Sequence, residues 1–207
     1  MRRSSSPGWP VILVMAFGPL LPIASLTAQD VPEPDNAVVL ANGEGSGSTG
    51  RISVNIAAGN HNQQVSSALV AQGSVALTHG DIVQYAAITA SEDTVNRVEI
   101  GPGAFAGISG LASINLTAGT QNQSANLATM AIGQSSALSD QLLEQTRAPI
   151  EPSGGTAHAE TGPNDVVTID DGAFGRGNGV FQANLIGGER NSSANTFSLT
   201  VSVSGNP

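Results

Sequence analysis

The chain has 207 residues, with seven basic and 16 acidic side chains, and it has no cysteine. The missing cysteine excludes disulfides and thiolate metal sites, and the formal net charge of −9 argues against nucleic acid or an anionic membrane as a partner. Aromatic residues make up only 3% of the chain, less than a thick globular core of this size normally buries. The abundant Gly, Ala, Ser, Thr, Asn, Gln and Val favour thin, layered β-structure.

The first 28 residues have the pattern of a secretory signal peptide. Arg2 and Arg3 precede an apolar stretch from Trp9 to Leu26, and "LTAQD" offers a small-residue cleavage point after Ala28. Because the stretch is short for a membrane anchor and contains three prolines, cleavage is the favoured interpretation. Residues 29–207 then form one secreted repeat domain with a net charge of 5 − 16 = −11 and no membrane span.

Three gapless repeats occupy about residues 34–70, 94–130 and 163–199, and each is about 37 residues long. Five positions are identical in all three. They are Gly43, Gly103 and Gly172; Gly50, Gly110 and Gly179; Asn55, Asn115 and Asn184; Gly59, Gly119 and Gly188; and Asn62, Asn122 and Asn191. The second and third repeats also share Phe105 and Phe174, where the first has Gly45, so the first repeat is the divergent one.

Each repeat is predicted to contain three short strands separated by glycines. In the third repeat these strands are "DVVTID", "GVFQANLI" and "SANTFSLTV", and the first and last alternate with a period of two. The segments "AGNHN", "AGTQN" and "GGERN" have the composition of tight turns that join the second strand to the third. The sequence therefore predicts an all-β fold, a β-solenoid-like stack of three imperfect repeats.

The two linkers between the repeats differ. Residues 71–93 are predicted to form a β-hairpin with "HGD" at its turn. Residues 131–162 contain "QSSALSDQLLEQTRA" from Gln134, whose apolar spacing predicts a short helix, and continue as a flexible linker before the third repeat.

The repeated asparagines have a physical role in such a stack. A carboxamide carries both a donor and an acceptor, so identical asparagines at matching heights can bond in a ladder. A ladder is the favoured interpretation for Asn55, Asn115 and Asn184, which lie within strand patterns. For Asn62, Asn122 and Asn191, a ladder and a purely local turn role are both open. The repeated glycines are expected where the chain turns.

The phrase "GRISVNIAAGNHNQQVSSALVA" resembles the repeats of the Fap functional-amyloid subunits, the FapB and FapC type, whose pattern is G-x-x-x-VN-V/I-AAG-x-x-NQQ-x-N. The first repeat matches this pattern from Gly50 to Gln64, the second retains fewer positions, and the third is weakest. The resemblance covers about half of the secreted part. It implies export through an outer-membrane pore and assembly with itself or with related amyloid subunits into extracellular fibres of a biofilm. The C-terminal CxxC motif of the main subunits is absent.

The sequence offers no catalytic, cofactor or metal constellation, so the chain is not predicted to be an enzyme and no cofactor is expected. His61, His79 and His158 lie far apart and lack metal-ligand spacing. Asp170-Asp171-Gly172 resembles the start of a calcium loop whose other ligands are missing.

The predicted function is therefore structural: self-association into, or attachment within, extracellular amyloid-like fibres, reached through the periplasm. A monomeric surface adhesin with a β-solenoid binding face is the alternative. A β-solenoid enzyme acting on polysaccharide would need matched carboxylates on one face, which no repeat carries. Substitution of Asn115 by Asp is predicted to slow assembly, because like charges would stack.

Overall fold

A computed structural model describes residues 34–87, 94–148 and 165–202. These residues form nine β-strands and no helix. The strands are β1 (Asn36–Leu40), β2 (Thr49–Ala58), β3 (Gln63–Ala86), β4 (Asn96–Ile100), β5 (Ser109–Ala118), β6 (Gln123–Arg147), β7 (Val166–Ile169), β8 (Asn178–Gly187) and β9 (Ser192–Ser202). The predicted signal peptide and most of the predicted flexible linker lie outside the described residues. The all-β prediction is confirmed.

Three parallel sheets are formed, and each takes one strand from every repeat. The first sheet is β1-β4-β7, the second is β2-β5-β8 and the third is β3-β6-β9. Equivalent residues of the repeats are paired, so that Asn55 lies beside Asn115 and Asn115 beside Asn184. The sequence repeat therefore reappears as the register of the sheets.

The chain passes between sheets at two kinds of corner. Residues 42–47, 102–107 and 171–176 form turns between the first and second sheets, and bends at 59–61, 119–121 and 188–190 lead into the third. The bends fall where the sequence predicts tight turns.

Two phenylalanines stack at the corner between the first and second sheets. Phe105 and Phe174 have positive φ of 56° and 58°, and their ring centroids lie 5.5 Å apart. Gly45 takes this place in the first repeat, because a Cβ there would lie 2.7 Å from the Phe105 ring.

The second sheet has apolar contacts on one face and polar contacts on the other. Val98 and Ile100 of the first sheet pack against Ile114 and Leu116 of β5, and all four are at most 1% exposed. On the opposite face of β5, Asn115 contacts residues of the third sheet through hydrogen bonds. The middle repeat is the most buried of the three, since the other two cover both of its edges.

The third sheet contains a chain reversal that the sequence did not predict. Gln63 Nε2 at the start of β3 donates to the carbonyl oxygen of Tyr85 at 2.6 Å, whereas a straight strand would separate these residues by roughly 70 Å. The pairing of β3 with β6 shifts register between Gly73 and Val75. The later half of each strand therefore folds back over its earlier half and forms an outer layer, which comprises residues 75–86 and 136–147.

Two predictions for this region were wrong. His79-Gly80-Asp81 is not a hairpin turn but lies inside β3, paired in parallel with β6. The segment with apparent helical spacing forms the outer part of β6 instead of a short helix. There, Gln141 and Gln145 face inward and donate to main-chain oxygens of β9. These cross-layer hydrogen bonds exist only in the tertiary structure and outweigh local helix propensity.

Candidate stacking site

The strand asparagines of the three repeats form a directional chain of amide hydrogen bonds. Asn115 Nδ2 donates to Asn55 Oδ1 at 2.7 Å, and Asn184 Nδ2 donates to Asn115 Oδ1 at 2.8 Å. Asn115 is fully buried and Asn184 is 3% exposed, whereas Asn55 is exposed at the edge of the second sheet. In every pair the amide of the later repeat donates to the oxygen of the earlier one, so the two ends of the chain of bonds are chemically different.

A second row of polar side chains faces the first from the third sheet, at Ser66, Asn126 and Asn195. Asn126 Nδ2 donates to Asn115 Oδ1 at 2.9 Å, and Asn195 Nδ2 donates to Asn126 Oδ1 at 3.0 Å. The sequence prediction did not include this row among the site residues. Its signal was present, since the three residues lie eleven positions after the strand asparagine in every repeat.

The asparagines after the bends combine both roles that the sequence left open. Asn62 Nδ2 donates within its own repeat to the carbonyl oxygen of Ala58 at 3.2 Å, and across repeats to that of Gly119 at 2.7 Å. Asn122 Nδ2 donates to Asn62 Oδ1 at 3.1 Å, and the main-chain NH of Asn191 donates to Asn122 Oδ1 at 2.8 Å. These side chains therefore tie neighbouring bends together as well as shaping each bend.

Two of the three sets of repeated glycines lie where the backbones of neighbouring repeats approach closely. Gly50, Gly110 and Gly179 are paired at the start of the second sheet, and Gly59, Gly119 and Gly188 occupy the bends. A Cβ on Gly110 would overlap the carbonyl oxygen of Gly50, and one on Gly119 would overlap that of Gly188. Both glycines have positive φ, 125° and 123°. A side chain at either position is therefore excluded by contact and by conformation.

An arginine side chain contacts the bend of the third repeat. Arg147 Nη2 donates to the carbonyl oxygen of Asn191 at 3.1 Å. Burial, and then the neighbouring positive charge of Arg190, lowers the pKa of Arg147 from its usual value. The repulsion between the guanidinium groups of Arg147 and Arg190 is therefore located at the bend of the third repeat.

The side chains considered for chemistry remain apart. His79 lies 3.3 Å from Asp140 on the exposed surface of the outer layer, and His61 lies in a bend; His158 is outside the described residues. Asp171 begins a turn after β7. Within residues 34–87, 94–148 and 165–202, no group of three His, Asp or Glu side chains could hold a metal ion. In the same residues, no helix is long and apolar enough to cross a membrane.

The geometry defines a class of protein: parallel β-sheets built from sequence repeats, in which identical side chains of successive repeats are neighbours. The profile of the functional amyloid protein FapB/FapC family matches residues 24–202, and the chain belongs to that family. The resemblance predicted from the repeat motifs is thereby confirmed. No solved structure matches the chain.

Proposed function

We propose that the chain is a secreted structural protein whose three repeats are successive coils of a β-solenoid, and that copies of it join end to end into extracellular amyloid-like fibres of a biofilm matrix. The directional amide chain is the observation that carries this proposal. Among the described residues, Asn55 Nδ2 has no hydrogen-bond partner, although the equivalent atom in Asn115 and Asn184 donates to the preceding repeat. An incoming repeat 3 would supply the missing acceptor.

The sheet edges support the same arrangement. Strands β1, β2 and β3 form one edge of the three sheets, and β7, β8 and β9 form the other. Unpaired strand edges are templates for pairing with another chain. Because the two edges come from different repeats, the contact is head-to-tail, and such contacts extend into filaments when the rotation does not close a ring.

The junction requires one rearrangement at the third repeat. Asn184 Oδ1 accepts from Asn195 Nδ2 at 2.9 Å and from Ser193 Oγ at 2.6 Å. Asn115 Oδ1 in the middle repeat accepts from Asn126 and from the next strand asparagine. At a junction, Asn55 of the next molecule therefore replaces the Ser193 hydroxyl, which rotates away.

In the proposed fibre, the amide rows and the repeated glycines hold the stacked repeats together. The 28-residue leader directs export of the chain to the periplasm, and an outer-membrane pore then releases it.

The test follows seeded assembly of purified residues 29–207 by thioflavin T fluorescence and fibre diffraction. Seeded growth with spacings of about 4.7 Å and 10 Å is expected. Asn55→Asp should slow elongation, because it replaces the donor at the junction with a negative charge facing an acceptor. Ser135→Asp is the matched control: it adds the same charge at an exposed position of the central strand β6, outside the three repeats, and it should leave elongation close to wild type.

Equal elongation rates for the two variants would contradict the head-to-tail junction. A folded monomer that never converts, even with seeds, would contradict assembly altogether and favour the alternative, a monomeric adhesin with a β-solenoid binding face.

A further inference from the structure

An apolar groove runs across all three repeats between the second and third sheets. It has a volume of about 330 Å³ and is open to solvent on one side. Leu111 and Val180 line it from the second sheet, and Val70, Met130 and Phe197 line it from the third. Val70 is 67% exposed, so its side chain can be reached from solvent.

The shape of the groove follows from the repeat register. Gly110 and Gly179 contribute no side chains, so the backbone of the second sheet forms an open floor there. Opposite them, Ala128 is paired with Ala68 on one side and with Phe197 on the other. Ala68 and Ala128 leave open space in the first two repeats, and the larger Phe197 side chain occupies the equivalent space in the third. The groove is therefore elongated along the direction in which the repeats follow one another, and it spans roughly 10 Å from the first repeat to the third.

One end of the groove carries a positive charge. Arg51 occupies the register position of Leu111 and Val180 in the first repeat. Its guanidinium Nη2 donates to the carbonyl oxygen of Ser66 at 3.0 Å, on the strand that contributes Val70 to the wall. Arg51 is in neither of the two ion pairs found among the described residues. In a chain of net charge −9, this is a local site where an anionic head can bind beside an apolar slot.

We propose that this groove binds an unbranched medium-chain fatty acid, with its tail along Leu111 and Val180 and its carboxylate against Arg51. The charge at a single end selects a molecule with one anionic head, and the apolar lining selects a tail without polar groups. An exposed carboxylate–guanidinium pair contributes little to affinity, so burial of the tail supplies most of it. The proposal concerns the folded single chain and does not depend on fibre formation.

The test is a calorimetric titration of the soluble chain with decanoate, kept below micelle-forming concentrations. Saturable binding of one decanoate per chain is expected. Octanoate, which is two methylenes shorter, should bind roughly fifteenfold more weakly, because each buried methylene improves affinity by about fourfold. Decanol should bind about twofold to fivefold more weakly than decanoate, since it lacks the charge that pairs with Arg51.

Two kinds of variant separate the tail from the head. Ala128→Phe places in the second repeat the residue found at the paired position in the third, and it should reduce decanoate affinity by tenfold or more by filling the slot. Val70→Ser changes an exposed position and should weaken binding without altering the fold. Arg51→Gln should abolish the preference for decanoate over decanol, and Arg51→Lys should retain it. Arg97→Gln, which removes an equal charge from the first sheet, should have no effect.

Absence of saturable binding to the folded chain overturns the proposal, as does affinity that is unchanged by both Ala128→Phe and Val70→Ser. If Arg51→Gln and Arg97→Gln changed decanoate affinity equally, Arg51 would not be the residue that binds the carboxylate. If the groove is instead an interface with a second copy, sedimentation should show a dimer that Ala128→Phe dissociates, with no decanoate binding.

Discussion

The two faces of β5 are equally buried but are stabilised by different physics. Ile114, Leu116 and their neighbours on one face pack against the first sheet without a hydrogen bond between side chains. Asn115 on the other face donates to Asn55 Oδ1, to the carbonyl oxygen of Val65 and to Ser66 Oγ, at 2.7–3.1 Å. It also accepts from the amides of Asn126 and Asn184.

This difference between the apolar and the hydrogen-bonded face of β5 explains how register is fixed in these sheets. Apolar contacts are non-directional, so a strand displaced along its neighbour could still bury similar area. The amide rows lack this tolerance, because a displaced strand would leave buried donors and acceptors without partners. The apolar face supplies most of the burial, and the amide face selects the alignment in which identical residues are neighbours.

Asn115→Asp should be the most damaging substitution, lowering the free energy of unfolding of the monomer by about 4 kcal/mol, because it buries a charge and removes the two N–H donors that contact three acceptors. Burial raises the pKa of the introduced carboxyl above its unfolded value, so the loss should grow as the pH rises from about 4 to 7. Denaturant unfolding at several pH values measures both effects.

Asn55→Asp is the control, since the same change at the exposed edge should cost the monomer less than about 1 kcal/mol. If Asn115→Asp is no more damaging than Asn55→Asp, or if its cost does not depend on pH, the amide row is not a buried network. Slow assembly of Asn115→Asp would then reflect charge at the fibre surface.

Leu116→Ala tests the apolar face and should lower the free energy of unfolding by about 3 kcal/mol, through lost burial and the cavity left behind. Because no titrating group is involved, this loss should be independent of pH between about 4 and 7. A cost below about 1 kcal/mol would mean that the first sheet repacks onto the second, and that the amide face carries more of the stability than proposed.

Asn126→Ala and Asn195→Ala compare the middle of an amide row with its end. Asn126 is fully buried and accepts from both Asn184 and Asn195, so its loss should cost about 2 kcal/mol. Asn195 is only partly buried, and its truncation should cost about 1 kcal/mol. Equal losses in denaturant unfolding would show that water replaces the missing amide equally well at both places.

Arg190→Gln should produce the smallest change, a gain of a few tenths of a kcal/mol in the free energy of unfolding. It removes the positive charge that helps to lower the pKa of Arg147. Since that pKa is lowered on folding, the cost is present at neutral pH, where Arg147 is charged in both states, and it disappears only when the pH rises through the folded value.

High salt should abolish this gain by screening the two charges. Arg176→Gln, at an exposed turn, controls for the loss of one arginine. A gain of the same size from Arg176→Gln would assign the effect to net charge.

The repeat can be read from the amino-acid sequence alone, and with it the identity of the residues that become neighbours. The glycines and asparagines recur at fixed spacing in all three repeats, and parallel pairing in register brings each set together. These features are local or repeated, so a single chain displays them without knowledge of the fold.

Three features depend on contacts that form only in the folded chain: the place where β3 and β6 fold back, the inward orientation of Gln141 and Gln145, and the groove beside Phe197. The turn at "HGD" and the helix were reasonable local choices, but their residues bond to strands far away in sequence. Gln145 reaches the main chain of Ser193, 48 residues away, and the amide of Gln84, 61 residues away. Contacts between such distant residues have no signature in local composition, because the free energy that stabilises them comes from layers that exist only after the chain has folded.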